Sequence, residues 1–97
     1  MDELYTKLAN LAARYGAQRL VLYGSRARGD FQPRSDIDLA VYAMPEKQRG
    51  SFAMEAEELP TLLKLDIVHI SSNMDPAFLE NIEKDGVTLY AAEDRKL

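Results

Sequence analysis

The chain has 97 residues, 46% hydrophobic and 29% charged, with 16 acidic against 12 basic residues and a formal net charge of −4. That length holds one modest core, and the balance is globular rather than disordered. The absence of cysteine excludes disulfides and thiolate metal sites, and a negative body disfavours a long polyanion, so no direct nucleic-acid binding is expected.

The longest apolar run covers only residues 39–44, far short of the roughly 20 residues of a membrane-spanning helix. The opening Met-Asp-Glu-Leu lacks the basic start and apolar stretch of a signal peptide. The expectation is a soluble, cytoplasmic protein with no membrane contact, a single domain over residues 1–97. Its charge is uneven: between Gly24 and Arg34, the arginines Arg26, Arg28 and Arg34 stand against Asp30 alone. A basic loop on an acidic body suits one small anion.

Along the chain, Leu4, Leu8, Leu11, Ala12 and Tyr15 recur at helical spacing, with Asp2 as N-cap and Gly16 as a left-handed C-terminal stop. Arg19 to Tyr23 form a short, almost wholly apolar run ending at Gly24, which predicts a strand covered on both faces. Residues 36–43 read as a second strand. Alternation places Asp36, Asp38, Ala40 and Tyr42 on one face, and Ile37, Leu39, Val41 and Ala43 on the other.

Residues 46–59 predict a helix buried through Phe52, Ala56 and Leu59, ended by Pro60. Residues 62–70 predict a third strand. Asp75-Pro76 is a helix start with Phe78, Leu79 and Ile82 on its apolar face and Gly86 as its stop. A short fourth strand follows at residues 87–90, then a polar tail. The predicted fold class is α/β (α+β), a small mixed sheet of about four strands with helices packed against it.

The chemistry gathers in Gly24 to Asp38. Two aspartates at i, i+2 on a strand share a face, with Cα atoms roughly 6.5 Å apart. Both stay ionised comfortably only with a cation between them. Magnesium takes hard oxygen ligands, and a pair of ions about 3.5–4 Å apart clamps the attacking and leaving oxygens of a displacement at phosphorus. Asp66 supplies a third carboxylate if the third strand neighbours the second in matching pleat. Set among Leu65, Ile67 and Val68, it needs a cation or a partner, and an ion pair with Lys64 is the structural alternative.

Upstream, Gly24 allows a sharp exit from the first strand and close approach of a phosphate. Ser25 can cap the turn that follows and donate its hydroxyl to a phosphate oxygen. Arg28 can neutralise a triphosphate or brace the loop on an aspartate. Arg26 and Arg34 read as solvated, or as steering an anion. His69 falls on the strand face opposite Asp66 and reads as packing, as do Tyr5, Tyr15, Tyr23, Tyr42 and Tyr90.

Gly24-Ser25-Arg26-Ala27-Arg28-Gly29 followed by Ser35-Asp36-Ile37-Asp38-Leu39 resembles the G-S-x-A-R-G…S-D-x-D-L signature of the polymerase-β-like nucleotidyltransferase superfamily. The resemblance runs from the first helix to the Asp85-Gly86-Val87 ending and is greatest to the minimal nucleotidyltransferase branch, which includes the MntA-type antitoxins. It implies a polymerase-β-like core in which Gly24, Ser25 and Arg28 hold the triphosphate. It further implies that Asp36, Asp38 and Asp66 are catalytic and bind two magnesium ions, with ATP as substrate.

Members of the superfamily move a nucleoside monophosphate from a nucleoside triphosphate to a hydroxyl and release pyrophosphate. For this branch the implied partner is a HEPN-domain toxin, all-helical and of ribonuclease type, modified by AMP on a tyrosine. A non-catalytic antitoxin acting by occlusion and a small-molecule, aminoglycoside-type nucleotidyltransferase are the other readings. The first does not need intact metal ligands, and the second lacks an acceptor-binding domain.

Overall fold

The computed structural model describes residues 2–92. The order of elements is α1 (Asp2–Arg14), β1 (Arg19–Tyr23), α2 (Ser25–Arg28), β2 (Ile37–Tyr42), α3 (Glu46–Glu57), β3 (Leu65–Ile70), α4 (Pro76–Asp85) and β4 (Val87–Ala91). The strands form one sheet in the order β3–β2–β1–β4. β2 and β3 are parallel, joined through α3, while β1 pairs antiparallel with both β2 and β4. The expected α/β architecture, a mixed four-stranded sheet, is therefore present.

Side-chain alternation gives the sheet two different faces. Leu20, Leu22, Ile37, Leu39 and Val41 point to one side, where Leu4, Leu8, Leu11 and Ala12 of α1 and Phe52 and Ala56 of α3 cover them. Most of these side chains are fully buried. At roughly 25 cal/mol per Å² of apolar surface, this layer is the main source of stability. The opposite face is smaller: Val21 and Ala40 pack beneath Ile82 of α4, flanked by Tyr23, Tyr42, Ile70 and Phe78. β1 is thus covered on both faces, as its apolar run predicts.

Several boundaries differ from the expected ones. α1 starts at Asp2 itself, so Asp2 lies in the first turn and is not its cap; Gly16, at φ +85°, is the left-handed stop. α3 ends at Glu57, two residues early. β3 begins at Leu65 rather than residue 62, because its ladder partner β2 begins at Ile37. The segment before it is occupied by a turn, where the Leu63 N–H donates to Thr61 Oγ1, leaving Leu62 fully exposed. Asp75 caps α4 as predicted, its side chain accepting from the Ala77 N–H with Pro76 next to it. The polar tail from residue 93 onward lies outside the described residues.

Gly86 ends α4, but with extended rather than left-handed backbone. Space is the constraint there: a Cβ would collide with the Ile82 carbonyl and with Val21 Cγ1. The absence of a side chain lets α4 turn into β4 flush against β1. Gly86→Ala is expected to destabilise the domain by about 1–3 kcal/mol, the usual cost of overpacking. For a domain of this size that is a fall in Tm of about 4–8 °C per kcal/mol; an unchanged melting curve would contradict so tight a seat.

Candidate active site

The site grows from the ends of three neighbouring strands. Tyr23, the last residue of β1, stands opposite Asp38 on β2, and Asp38 stands opposite Asp66 on β3. Directly paired residues share a face, so the three form one row across strands about 4.8 Å apart. That face is the one α4 covers, but Ile82, the buried side chain of α4, sits over Val21 and Ala40, one step along from the row.

Gly24 follows Tyr23 at φ 74° and ψ −156°, a region open essentially to glycine alone. A Cβ there would collide with the Asp38 carboxylate. Glycine is therefore required twice over, by its backbone angles and by the carboxylate that lies against it. The chain then turns into α2, where the N–H groups of Ala27 and Arg28 donate to the Gly24 carbonyl and Gly29 closes the turn. Ser25 is the first residue inside the helix and Gly24 its N-cap, so the Ser25 side chain does not cap the turn as expected. The N–H groups of Ser25 and Arg26, ahead of those bonds, have no carbonyl of their own helix to bond.

The arginines divide by role. Arg26 is neither solvated nor free: it donates from Nε to the Ser35 carbonyl at 3.1 Å and from a terminal nitrogen to the Pro33 carbonyl at 3.1 Å. Its guanidinium also lies 4.5 Å from the centre of the Phe31 ring. Arg26 thus ties the loop between α2 and β2 into one shape. Arg28 pairs with Asp30 at 3.2 Å, with both side chains about half exposed or more. Such a surface pair contributes roughly 0–1 kcal/mol.

The three carboxylates occupy different settings. Asp38 is half-buried, and its pKa is raised by burial first, then by the charges of Asp66 and Asp36, with Arg28 opposing. Asp36 lies just before β2 and is exposed, so it is not the strand residue that alternation predicts. Asp66 is exposed as well, because β3 is an edge strand; the buried setting expected from its apolar neighbours does not arise. Lys64 does not form the alternative ion pair with Asp66 among the described residues. Nor do three acidic or histidine side chains among the described residues close into a ready metal cluster. The row holds hard oxygen donors held against a backbone with no Cβ, and that donor chemistry fits a magnesium ion carrying phosphate.

Tyr23 belongs to this row rather than only to the packing. Its phenol is pushed up to about 12 by burial and then by the charges of Asp38 and Asp66. It meets Phe78 edge-on at 5.7 Å between ring centres. Beside them opens a cavity of about 310 Å³ lined by Tyr23, Gly24, Arg28, Phe78, Asn81, Ile82 and Asp85. None of the α4 residues in that lining is evident from motif spacing. A signal was present nonetheless, since positions 78, 81, 82 and 85 fall at i, i+3, i+4 and i+7 and define one helix face. His69 lies on the opposite face as expected, opposite Val41, with its pKa lowered by burial and then by the Arg49 charge.

The model of the family described as "Polymerase beta, Nucleotidyltransferase" matches residues 6–95 of the chain. The chain belongs to this family of nucleotidyltransferases. Among solved structures, one described as the toxin-antitoxin MntA-HpeT in mutant form superposes with a TM-score of 0.69 at 21% identity, over 92% of this chain and 74% of that one. A toxin-antitoxin with AMP-PNP gives 0.69 at 23% identity, with the same coverage. A Sulfolobus solfataricus protein described as a putative nucleotidyltransferase gives 0.56 at 22% identity, over 91% of this chain and 78% of that one. At these identities the likeness is one of fold. No curated protein matches.

The charge row carries a measurable signature. Folding raises the pKa of Asp38, so its protonated form is favoured in the native state, and stability is lost as pH rises through the folded-state value. Asp38→Asn is therefore expected to melt higher than the natural protein at neutral pH, by up to about 1 kcal/mol for relief of like charges paired across strands. The difference should shrink as pH falls through the raised folded-state value and be gone below the ordinary value of 3.8. Thermal unfolding across that range checks it; a variant less stable than the natural protein at neutral pH would contradict the strain assigned to Asp38.

Proposed function

We propose that the chain is a magnesium-dependent nucleotidyltransferase that moves AMP from ATP to a hydroxyl, of the tyrosine type, on a HEPN-type toxin, and acts as that toxin's antitoxin. The observation that carries the reading is the packing of Gly24 on Asp38 together with the Asp38–Asp66 register. These bring a phosphate-accessible backbone and two carboxylates to one point of the sheet.

In this reading the residues divide the work. Gly24 and Ser25 receive the triphosphate along their backbone, with the Ser25 hydroxyl as a further donor and Arg28 leaving Asp30 for the phosphate oxygens. Asp36 and Asp38 hold two magnesium ions, with Asp66 completing the set; bound there, the metal neutralises phosphate charge and stabilises the attacking and leaving oxygens. Asp66 accepts the proton of the acceptor hydroxyl. The freed oxygen bonds to the α-phosphorus, the bond from that phosphorus to the bridging oxygen breaks, and pyrophosphate leaves with the electron pair. Charge stabilisation and alignment are the main contributions a protein makes to such a transfer.

A protein acceptor is favoured by the position of Asp66. It is exposed on an edge strand, reachable from beyond the sheet, and all the described elements belong to one sheet and the helices around it. In this reading the surface that presents the hydroxyl belongs to a second protein. The toxin–antitoxin pairs among the structures of the same fold support a toxin as that molecule.

The test is transfer of label from α-labelled ATP, with magnesium, to an all-helical HEPN-type protein. Asp36→Asn is the control, since Asp36 is exposed and outside the strand, so folding should be untouched. Label on the partner, lost by 100-fold or so in the variant, the scale of losing one electrostatic stabiliser, is the expected result. A stable complex that carries no label and forms equally well with the variant would contradict catalysis and leave an antitoxin acting by occlusion. Transfer to a small molecule with no partner present would contradict the protein acceptor.

A further inference from the structure

We infer that the outer edge of β3 receives an extended segment of the acceptor protein as an added strand, and that this pairing carries the acceptor hydroxyl to Asp66. The inference rests on the nucleotide-transfer reading and assigns the way its protein substrate docks.

β3 lies at one end of the sheet, with β2 on one side and no strand on the other among the described residues. One bond shows which of its backbone groups are free. The Ile37 N–H donates to the Lys64 carbonyl at 2.9 Å, and Ile37 stands opposite Leu65. Backbone groups alternate in direction along a strand, so those of Lys64, Asp66, Val68 and Ile70 turn toward β2. The N–H and C=O groups of Leu65, Ile67 and His69 therefore point outward, a donor and an acceptor at every second residue. None of them bonds elsewhere in the backbone among the described residues.

The two ends of the sheet are not alike. β4 pairs with β1 through a register shift at Leu20 and Val21, an irregularity of the kind that turns an edge away from further pairing. β3 runs in unbroken register with β2 from Leu65 to Ile70. It contains neither proline nor lysine, the usual guards of an edge, and its one acidic or basic side chain besides His69 is Asp66. The open edge is the one that carries a site residue.

Asp66 sets what this edge takes. Directly paired residues share a face, so the row of Tyr23, Asp38 and Asp66 continues into the residue of an added strand that stands opposite Asp66. A tyrosine opposite or diagonal to Asp66 reaches its carboxylate, since diagonal neighbours are roughly 7–8 Å apart. The next residue of the added strand points to the other face. There, a cavity of about 270 Å³ opens at the start of β3, lined by Ala56, Glu57, Thr61, Leu63, Lys64 and Leu65, with Leu63 and Leu65 packed against the main core. In strand addition the main-chain bonds give affinity, and a pocket for the alternate side chain gives selectivity. The segment that fits pairs a hydroxyl-bearing residue with an apolar neighbour, on a stretch of the partner free to extend, at a chain end or between helices.

The experiment is residue-resolved amide hydrogen exchange by NMR on the full chain with magnesium and a non-hydrolysable ATP analogue, alone and with an unlabelled HEPN-type protein. In the complex the Leu65, Ile67 and His69 N–H groups should exchange slower by about tenfold or more. Those of Asp66, Val68 and Ile70, already turned toward β2, should change little. A second measurement uses His69→Pro, which removes one outward donor and leaves the bonds to β2 in place. It should weaken binding of the partner about fivefold, the scale of one backbone hydrogen bond, with affinity for the ATP analogue unchanged. A complex that forms with the outward N–H groups of β3 exchanging as before, or that the proline variant forms equally well, would overturn the inference while leaving transfer to a protein intact. Protection already present in the chain alone, and growing with its concentration, would assign the edge to a second copy and overturn the inference too. A partner that neither binds nor takes up label would overturn the protein acceptor itself, and the inference with it.

Discussion

Two carboxylates stand opposite each other on parallel strands, and much of the rest of the molecule can be understood as what makes that tolerable. Asp38 is pulled partly out of water at the start of β2, facing Asp66 on β3 with Asp36 close by. Like charges paired across strands are destabilising, and desolvation adds to the cost. The strands that carry them nonetheless pair residue for residue from Ile37 and Leu65 to Tyr42 and Ile70. Beneath them Ile37, Leu39 and Val41 are fully buried under α1 and α3. One face of β2 holds the fold together while the other carries the repulsion.

The uneven cover of the two faces follows from this division. A second helical layer as complete as the first would close over the row of Tyr23, Asp38 and Asp66. Instead α4 touches down through Ile82 on the small side chain of Ala40 and on Val21, and leaves a cavity toward Gly24. The turn after Gly24 is shaped by the same economy: Arg26 is committed to the Ser35 and Pro33 carbonyls, so the loop is held in place while Arg28 pairs with an exposed partner. A fully committed arginine and an exposed one sit two residues apart.

Much of this was legible in the sequence, and the reasons are local. The run from Gly24 to Asp38 carries its own geometry, since a glycine exit and aspartates at i, i+2 are short-range features that backbone periodicity can read. The same holds for Asp75-Pro76 at the start of α4. What depended on pairing was less visible. Asp66 looked buried from its apolar neighbours, but β3 is an edge strand, and edge position is decided by strand order. Asp36 fell outside β2 because the ladder starts at Ile37, and Ser25 proved to lie inside the helix it was expected to cap. Tyr23 read as packing because its neighbours across the sheet, rather than along the chain, define its setting.

Nucleotide transfer on this sheet requires that Gly24 and the aspartates form one site. The most direct measurement is a crystal structure of this chain with magnesium and a non-hydrolysable ATP analogue. The expected result is phosphates against the Gly24–Ser25 backbone and metal bound through Asp36, Asp38 and Asp66. Phosphates seated elsewhere, or a nucleotide bound with Asp38 left out of its coordination, would contradict it.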